Sequence, residues 1–426
     1  IRGPVTSTMN PLFVTKLGWA AGSILLEEGI SKVLIGKDTR ISGYMFESAL
    51  QAGFISAGMD VILLGPLPTP GVSFLANSNN QIGLVISASH NLFEDNGIKL
   101  FNKDGQKFSV ELERRIETKL MEEMVAVESI NLGKASRMND AQGRYVEFCK
   151  SSFTNLDLTG LTILLDCANG ATYSVAPKVF SELGAKVHSI GASPDGININ
   201  QNCGSTSPDT LKEEVSKGNY DIGIAFDGDG DRILIIAADG TILDGDDILY
   251  ILSKQISDDS GIVGTLMTNK SLELHFKENQ IDFVRADVGD KYVLQKLVEK
   301  AWHLGGEPSG HIICLDAAQT GDAIIAALKV LDAIKDESFS LTKALEEFEK
   351  FPQTLINLKV DNPNKIIVSD KFWQKVTDIE LQLGEEGRVL IRPSGTEPLI
   401  RIMVESREQK ISDSLCNALA DLAQTI

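Results

Sequence analysis

Long apolar runs are missing from this chain: no stretch approaches the ~18 residues that a bilayer-spanning helix needs, which predicts a soluble protein. Cysteine is sparse as well. The five residues Cys149, Cys167, Cys203, Cys314 and Cys416 show no C-x-x-C pairing, so neither a zinc site nor a disulfide framework is expected. That usage predicts a reducing, cytoplasmic setting. Positive charge is short too: 40 Lys and Arg face 59 Asp and Glu, a formal net charge of -19. A chain so acidic repels polyanions, which excludes nucleic acid and anionic membrane surfaces as partners, although a small anion can still occupy a local basic pocket. No charged-then-apolar secretory pattern opens the chain. It begins Ile1-Arg2-Gly3 without Met, so the expectation is that the natural start lies further upstream.

What is present is a repeated unit. At 426 residues the length predicts about three domains, or four, and 43% hydrophobic residues suffice to fill them. The stretch "FESALQAGFISAGMDVILLG" reads as an amphipathic helix stopped near Gly58 and followed by a buried strand at 61–64. "YSVAPKVFSELGAKVHSIG" repeats that grammar, with Gly184 as the stop and a strand at 186–190. Further β-branched runs at 33–35, 161–165, 222–226, 262–266 and 281–284 alternate with helical segments. This is the pattern of largely parallel sheets covered by helices, whose ligands bind beyond the carboxyl ends of the strands. Polar joints divide the chain into blocks 1–148, 149–243, 244–353 and 354–426, the last of them a smaller α+β domain.

The sharpest chemical signal is "IAFDGDGDRILII", a strand, three aspartates on alternate residues and a second strand. Asp227, Asp229 and Asp231 can converge on one hard cation, because Gly228 and Gly230 permit the tight turn this requires. An EF-hand would also begin D-x-D-x-D. Here its sixth position would be Arg232 instead of Gly, its twelfth Ala238 instead of Glu, and its flanks are strands instead of helices. A charged hairpin without metal would leave three carboxylates repelling one another.

Three other loops carry chemistry-bearing residues. "SASHN" places Ser89 at a strand's carboxyl end, where its hydroxyl could carry a phosphoryl group or could simply cap the next turn. His90 alone reads equally as a structural histidine, and Lys99 alone as a surface lysine. In "GGEPSGHI", residues 305–312, Glu307, Ser309 and His311 alternate in a manner that suits vicinal sugar hydroxyls, or an ordinary Gly-rich turn. "RPSGTEPLIR" combines Arg392, Ser394, Thr396, Arg401 and the amides around Gly395 in a nest suited to phosphate.

Together the four loops, in this order and across nearly the whole chain, resemble the α-D-phosphohexomutase superfamily. The words "ISASHN", "DNGIKLF", "DCANGATY", "GININQNCGST", "AFDGDGDR" and "TGDAIIAAL" are most similar to its glucosamine-phosphate branch. The alternative is the phosphomannomutase/phosphoglucomutase branch, where Gly usually replaces Ala88. The resemblance implies three related α/β domains with mainly parallel, mixed sheets and a fourth, smaller α+β domain around a central cleft. The serine, metal, sugar and phosphate loops would then fall in successive domains. It further implies Ser89 as a phosphoserine, whose phosphate joins Asp227, Asp229 and Asp231 around one Mg²⁺. His90 and Lys99 would handle the proton, and Arg232 would supply charge. Glu307, Ser309 and His311 are implied as sugar contacts, Arg392, Ser394, Gly395, Thr396 and Arg401 as phosphate contacts, with Arg40 and Lys291 as further substrate-binding cations.

The implied reaction interconverts glucosamine 6-phosphate and glucosamine 1-phosphate through a 1,6-bisphosphate of glucosamine or glucose. It would feed UDP-N-acetylglucosamine and cell-wall precursor synthesis. The partner is then a small hexosamine phosphate, with neither nucleic acid nor membrane, and a homodimer is allowed but not required. One departure stands out: Leu92 occupies the position where the family has proline. A metal-dependent phosphatase would need no second phosphate nest. A non-catalytic sensor would need neither Ser89 nor the aspartates.

Overall fold

A computed structural model describes residues 1–7, 9–257, 259–360, 362–393 and 399–426. The chain divides into two compact units, one of Ile1–Leu266 with Val284–Ala344 and one of Met267–Phe283 with Leu345–Ile426.

The first sheet of the larger unit runs in the order Arg2–Pro4, Asp95–Phe101, Ile82–Ile86, Lys32–Lys37, Asp60–Pro66, Ala135–Arg137. The last four strands are mutually parallel, whereas Asp95–Phe101 returns antiparallel beside Ile82–Ile86. The helix Ile41–Ala57 ends at Gly58 and leads into Asp60–Pro66, as the repeat predicts. It packs against Pro11–Glu27, which Asn10 caps by accepting from the Phe13 amide. Phe46, Leu50 and Phe54 from one helix and Leu17, Trp19 and Leu25 from the other meet Val33, Ile35 and Leu84 of the sheet in one core.

A second sheet has the order Ile242–Leu243, Ile233–Ala237, Ile222–Phe226, Thr162–Asp166, Lys186–Ile190. Thr162–Asp166 is parallel to both its neighbours, and Ile222–Phe226 and Ile233–Ala237 form an antiparallel hairpin. The aspartate turn is therefore the tip of a hairpin whose strands are buried. A third sheet orders Asp282–Ala286, Gly261–Thr265, Leu304–Gly306 and Ile312–Cys314. The smaller unit carries an antiparallel sheet, Gln353–Lys359, Leu399–Ser406, Gly387–Pro393, whose apolar face lies under Asp370–Leu383 and Gln409–Gln424. The hydrophobic pattern predicts helix-covered, largely parallel sheets and a smaller α+β domain; the antiparallel pairs in each of the three α/β sheets make them mixed, as the resemblance implies. Among the described residues no helix is long and apolar enough to cross a membrane, and the five cysteines are buried thiols.

Candidate active site

The antiparallel return of Asp95–Phe101 sets Lys99 opposite Val85, one strand from the segment that ends in Ser87-Ala88-Ser89. Ser89 adopts a left-handed backbone, φ 53°, and its amide donates to Ser87 Oγ at 2.9 Å. Its hydroxyl donates to Asp227 Oδ2 at 2.6 Å and lies 3.4 Å from His90 Nδ1. Ser89 is buried, with 2% of its surface exposed. The serine loop and the aspartate turn thus meet. Their contact is tight enough that a Cβ at Gly228 would fall 2.6 Å from the Ser89 carbonyl, and Gly230 has φ +73°. Both positions require glycine.

The three aspartates converge as expected. One carboxylate oxygen from each lies within 4.8 Å of the others. Asp227 Oδ1 accepts from the Asp231 and Arg232 amides, while Asp229 Oδ2 accepts from Thr69 Oγ1 at 2.5 Å and Lys99 Nζ at 2.7 Å. Lys99 also reaches Asp231 Oδ2 at 3.1 Å. Asp229 Oδ1 and Asp231 Oδ1 are buried with no hydrogen-bond partner, as are Arg232 Nε and His311 Nε2 beside them. Buried polar atoms are rarely left so.

The electrostatics agree with a site short of positive charge. Burial and repulsion from Asp231 and Asp229 push the Asp227 pKa well above the carboxylate range. Burial also works against an ionised Asp231, but Lys99, His311 and Arg232 outweigh it and hold that pKa low. Lys99 itself loses hydration, yet Asp229 and Asp231 raise its pKa. The His90 pKa falls to about 4, from burial first and then the Arg232 and Arg2 charges, so the ring is neutral near pH 7. The orphaned oxygens, the stacked carboxylates and the all-oxygen donor set fit one hard divalent cation.

Residues 305–312 join this cluster directly. The Ile233 amide donates to the Gly310 carbonyl at 3.0 Å, and His311 lies between Asp231 Oδ1 (3.8 Å) and Asp290 Oδ2 (3.9 Å). Glu307 accepts from the Gly289 amide and from Ser309 Oγ, at 2.7 and 3.1 Å. Lys291 is exposed on the first turn of Asp290–Lys300, its ammonium 4.7 Å from the centre of the Tyr292 ring. In the smaller unit, Arg392 and Arg401 are directly paired on adjacent antiparallel strands. Ser394, Gly395 and Thr396 lie outside the described residues.

Arg40 corrects the reading of it as a substrate-binding cation. It is fully buried, and its guanidinium donates through Nε to Asp38, through Nη2 to the carbonyls of Ser89 (2.9 Å) and Asn91 (2.7 Å), and through Nη1 to those of Leu92 and Asp95. All five donors are engaged, which leaves none for a ligand. Arg40 clamps the serine loop from beneath. Asn200, which the sequence did not single out by itself, completes the clamp on the same Ser89 and Asn91 carbonyls, each at 2.9 Å. Its only signal was its place in "GININQNCGST".

Leu92 is 51% exposed, and among the described residues its amide donates no backbone hydrogen bond, while its carbonyl accepts from Arg40. Proline would keep the carbonyl and sacrifice no donor. Leu92→Pro is therefore expected to stabilise the protein by about 0.4–1 kcal/mol through the unfolded chain, read as a higher denaturation midpoint. A large loss would mean that the loop's backbone angle excludes proline.

Open mixed α/β sheets that present a buried serine to a triad of aspartates define the phosphohexomutase class. Models of the four parts of phosphoglucomutase/phosphomannomutase match in order: alpha/beta/alpha domain I at residues 1–126, domain II at 143–240, domain III at 244–351 and the C-terminal domain at 355–422. The chain belongs to the phosphoglucomutase/phosphomannomutase family. It is 51% identical over 428 aligned positions to the phosphoglucosamine mutase of Legionella pneumophila, covering 99% of this chain and 94% of that protein. It is 52% identical over 421 positions to that of Aeromonas salmonicida, covering 97% and 95%.

Among solved structures, a family member from Burkholderia thailandensis superposes over 100% of this chain and 96% of that one, with a TM-score of 0.85 and 23% identity. The Aspergillus fumigatus N-acetylphosphoglucosamine mutase, solved in complex with GlcNAc-6P and magnesium, covers 83% and 91% with a TM-score of 0.67 and 18% identity. At those identities the structures speak for the fold alone.

Proposed function

We propose that the chain is a phosphoglucosamine mutase, an isomerase interconverting glucosamine 6-phosphate and glucosamine 1-phosphate through a phosphoserine at Ser89. The observation that carries the reaction is the Ser89 hydroxyl held 2.6 Å from Asp227 beside two orphaned aspartate oxygens. The likeness to full-length relatives of that name carries the sugar. Asp227, Asp229 and Asp231 would hold one Mg²⁺, which when bound neutralises charge on the transferring phosphoryl group.

The chain's own residues then do the following. The Arg40 and Asn200 clamp fixes Ser89 in place. Lys99, kept protonated by its carboxylates, and Arg232 face the same space with positive charge. Neutral His90, 3.4 Å from Ser89 Oγ, accepts a hydrogen bond or a proton there. Glu307, Ser309 and His311 read the ring hydroxyls. Arg392 and Arg401, like charges directly opposite each other and therefore mutually unfavourable without an anion, hold the phosphate that is not reacting, together with Ser394, Gly395 and Thr396. The Ser89 O–P bond breaks as a new O–P bond forms to the free sugar hydroxyl, whose proton passes by way of neutral His90 to the departing Ser89 oxygen. The resulting 1,6-bisphosphate turns over and returns its other phosphoryl group to Ser89.

The four predicted blocks 1–148, 149–243, 244–353 and 354–426 each contribute one of these loops, and the enzyme works in the cytoplasm toward UDP-N-acetylglucosamine. Intact mass followed by peptide mapping tests the relay: one phosphoryl increment on the peptide containing Ser89 is expected.

Sugar preference is expected to follow the second carbon, where glucosamine carries an ammonium and glucose a hydroxyl. One charged hydrogen bond contributes roughly 1.5–3 kcal/mol, so glucosamine 6-phosphate should exceed glucose 6-phosphate by at least about tenfold in kcat/KM. Mannose 6-phosphate should be poorer still. Competition assays with the three sugars decide it, and an equal or reversed order moves the chain to the phosphomannomutase/phosphoglucomutase branch.

A further inference from the structure

Thr69 lies outside every motif, yet it touches the aspartate turn twice. It is the first residue of the helix Thr69–Asn79 and is 3% exposed. Its amide, one of the donors a helix start leaves unsatisfied, donates to the Asp229 carbonyl at 2.8 Å. Its hydroxyl donates to Asp229 Oδ2 at 2.5 Å. Lys99 Nζ meets the same oxygen at 2.7 Å, and the other oxygen, Oδ1, is buried with no partner. Two donors therefore hold one side of the carboxylate and leave the other bare. The corner is seated firmly, because Pro68 packs on the turn so closely that a Cβ at Gly230 would stand 3.1 Å from the Pro68 Cβ.

We propose that Thr69 is a positioning residue for the cation site: its hydroxyl fixes the plane of the Asp229 carboxylate so that Oδ1 is presented as the ligand atom. The inference rests on the reading of the three aspartates as a divalent-cation site. A carboxylate's terminal torsion is broad and roughly two-fold, so an unheld Asp229 would sample orientations that present neither oxygen correctly. Lys99 alone cannot fix it, since a long flexible side chain shared with Asp231 restrains direction weakly. A threonine at the start of a helix is anchored by its backbone. The sequence separation between the two partners is 160 residues: the support comes from the helix that follows strand Asp60–Pro66 of the first sheet, whereas the turn it orients is the hairpin tip of the second.

The test is calorimetric titration of Mg²⁺ into the wild-type chain, Thr69→Ser and Thr69→Val, with melting temperatures in chelator reporting the fold alone. Loss of such outer support typically costs 10–100-fold in metal affinity. Thr69→Ser is expected to bind within about twofold of wild type, and Thr69→Val at least about tenfold more weakly, while both melt cooperatively without metal. A folded Thr69→Val that binds Mg²⁺ as tightly as wild type overturns the inference alone. If the valine variant does not fold, Thr69→Ala is judged by the same criterion. No binding by the wild-type chain overturns the cation reading and this inference with it.

Discussion

Ser89→Ala should reduce mutase turnover to background while leaving a folded protein. The phosphoryl group has no other carrier in the proposed reaction, and neither His90 nor Lys99 can replace an oxygen nucleophile at the position Ser89 occupies. At 2% exposure, with its hydroxyl on Asp227, Ser89 also has a part in packing. Leaving the buried Asp227 Oδ2 without its donor costs about 1–3 kcal/mol, so the variant should melt lower than wild type but cooperatively. Circular dichroism and a coupled assay primed with the 1,6-bisphosphate separate the two effects. Normal turnover in the variant would refute the phosphoserine relay, and the phosphoryl increment should vanish from its intact mass.

The parts of this molecule that were legible in the sequence share a physical character: they are local. The run at 222–226 is a strand because consecutive apolar, partly β-branched residues sit between buried layers, and it is found as Ile222–Phe226 without a shift. The three aspartates could be read as convergent because alternate residues in a tight glycine turn have few other ways to point. Lys99 was harder. It appeared only as a lysine after a turn, and it reaches Asp229 and Asp231 because Asp95–Phe101 folds back antiparallel instead of continuing the parallel pattern.

Arg40 shows where such reading stops. The resemblance implies an anion contact for the arginine of "KDTR", but apart from Asp38 its acceptors are carbonyls 49 to 55 residues away, beyond two intervening helices and two strands. Their geometry turns a candidate ligand into a structural clamp. Thr69 and Asn200 were hidden for the same reason, with partners 160 and 111 residues distant. A side chain's partner across such separations is set by topology, and the residue's own neighbours in the chain carry no trace of it.

Stripping divalent cations should silence the enzyme, and Asp229→Asn should reproduce the loss in the presence of excess Mg²⁺. Asp229 needs both of its oxygens in the proposed site: Oδ2 accepts from Thr69 and Lys99, and Oδ1, buried without a partner, is the oxygen proposed to ligate the cation. An amide offers a single acceptor oxygen. With its oxygen on the Thr69 side, asparagine turns an NH₂ group toward the cation, which cannot be ligated by it. Flipped, it sets donor against donor at Lys99 and Thr69. Either orientation also removes one negative charge from a triad whose mutual repulsion already raises the Asp227 pKa, and that relief should keep the variant folded. A bound cation contributes several kcal/mol of transition-state stabilisation, so kcat should fall by about 10³-fold or more. The wild-type enzyme should recover on adding Mg²⁺ after chelation, and Asp229→Asn should not. Full wild-type activity in excess chelator would remove the cation from the reaction and leave the orphaned oxygens of Asp229 and Asp231 in need of another partner.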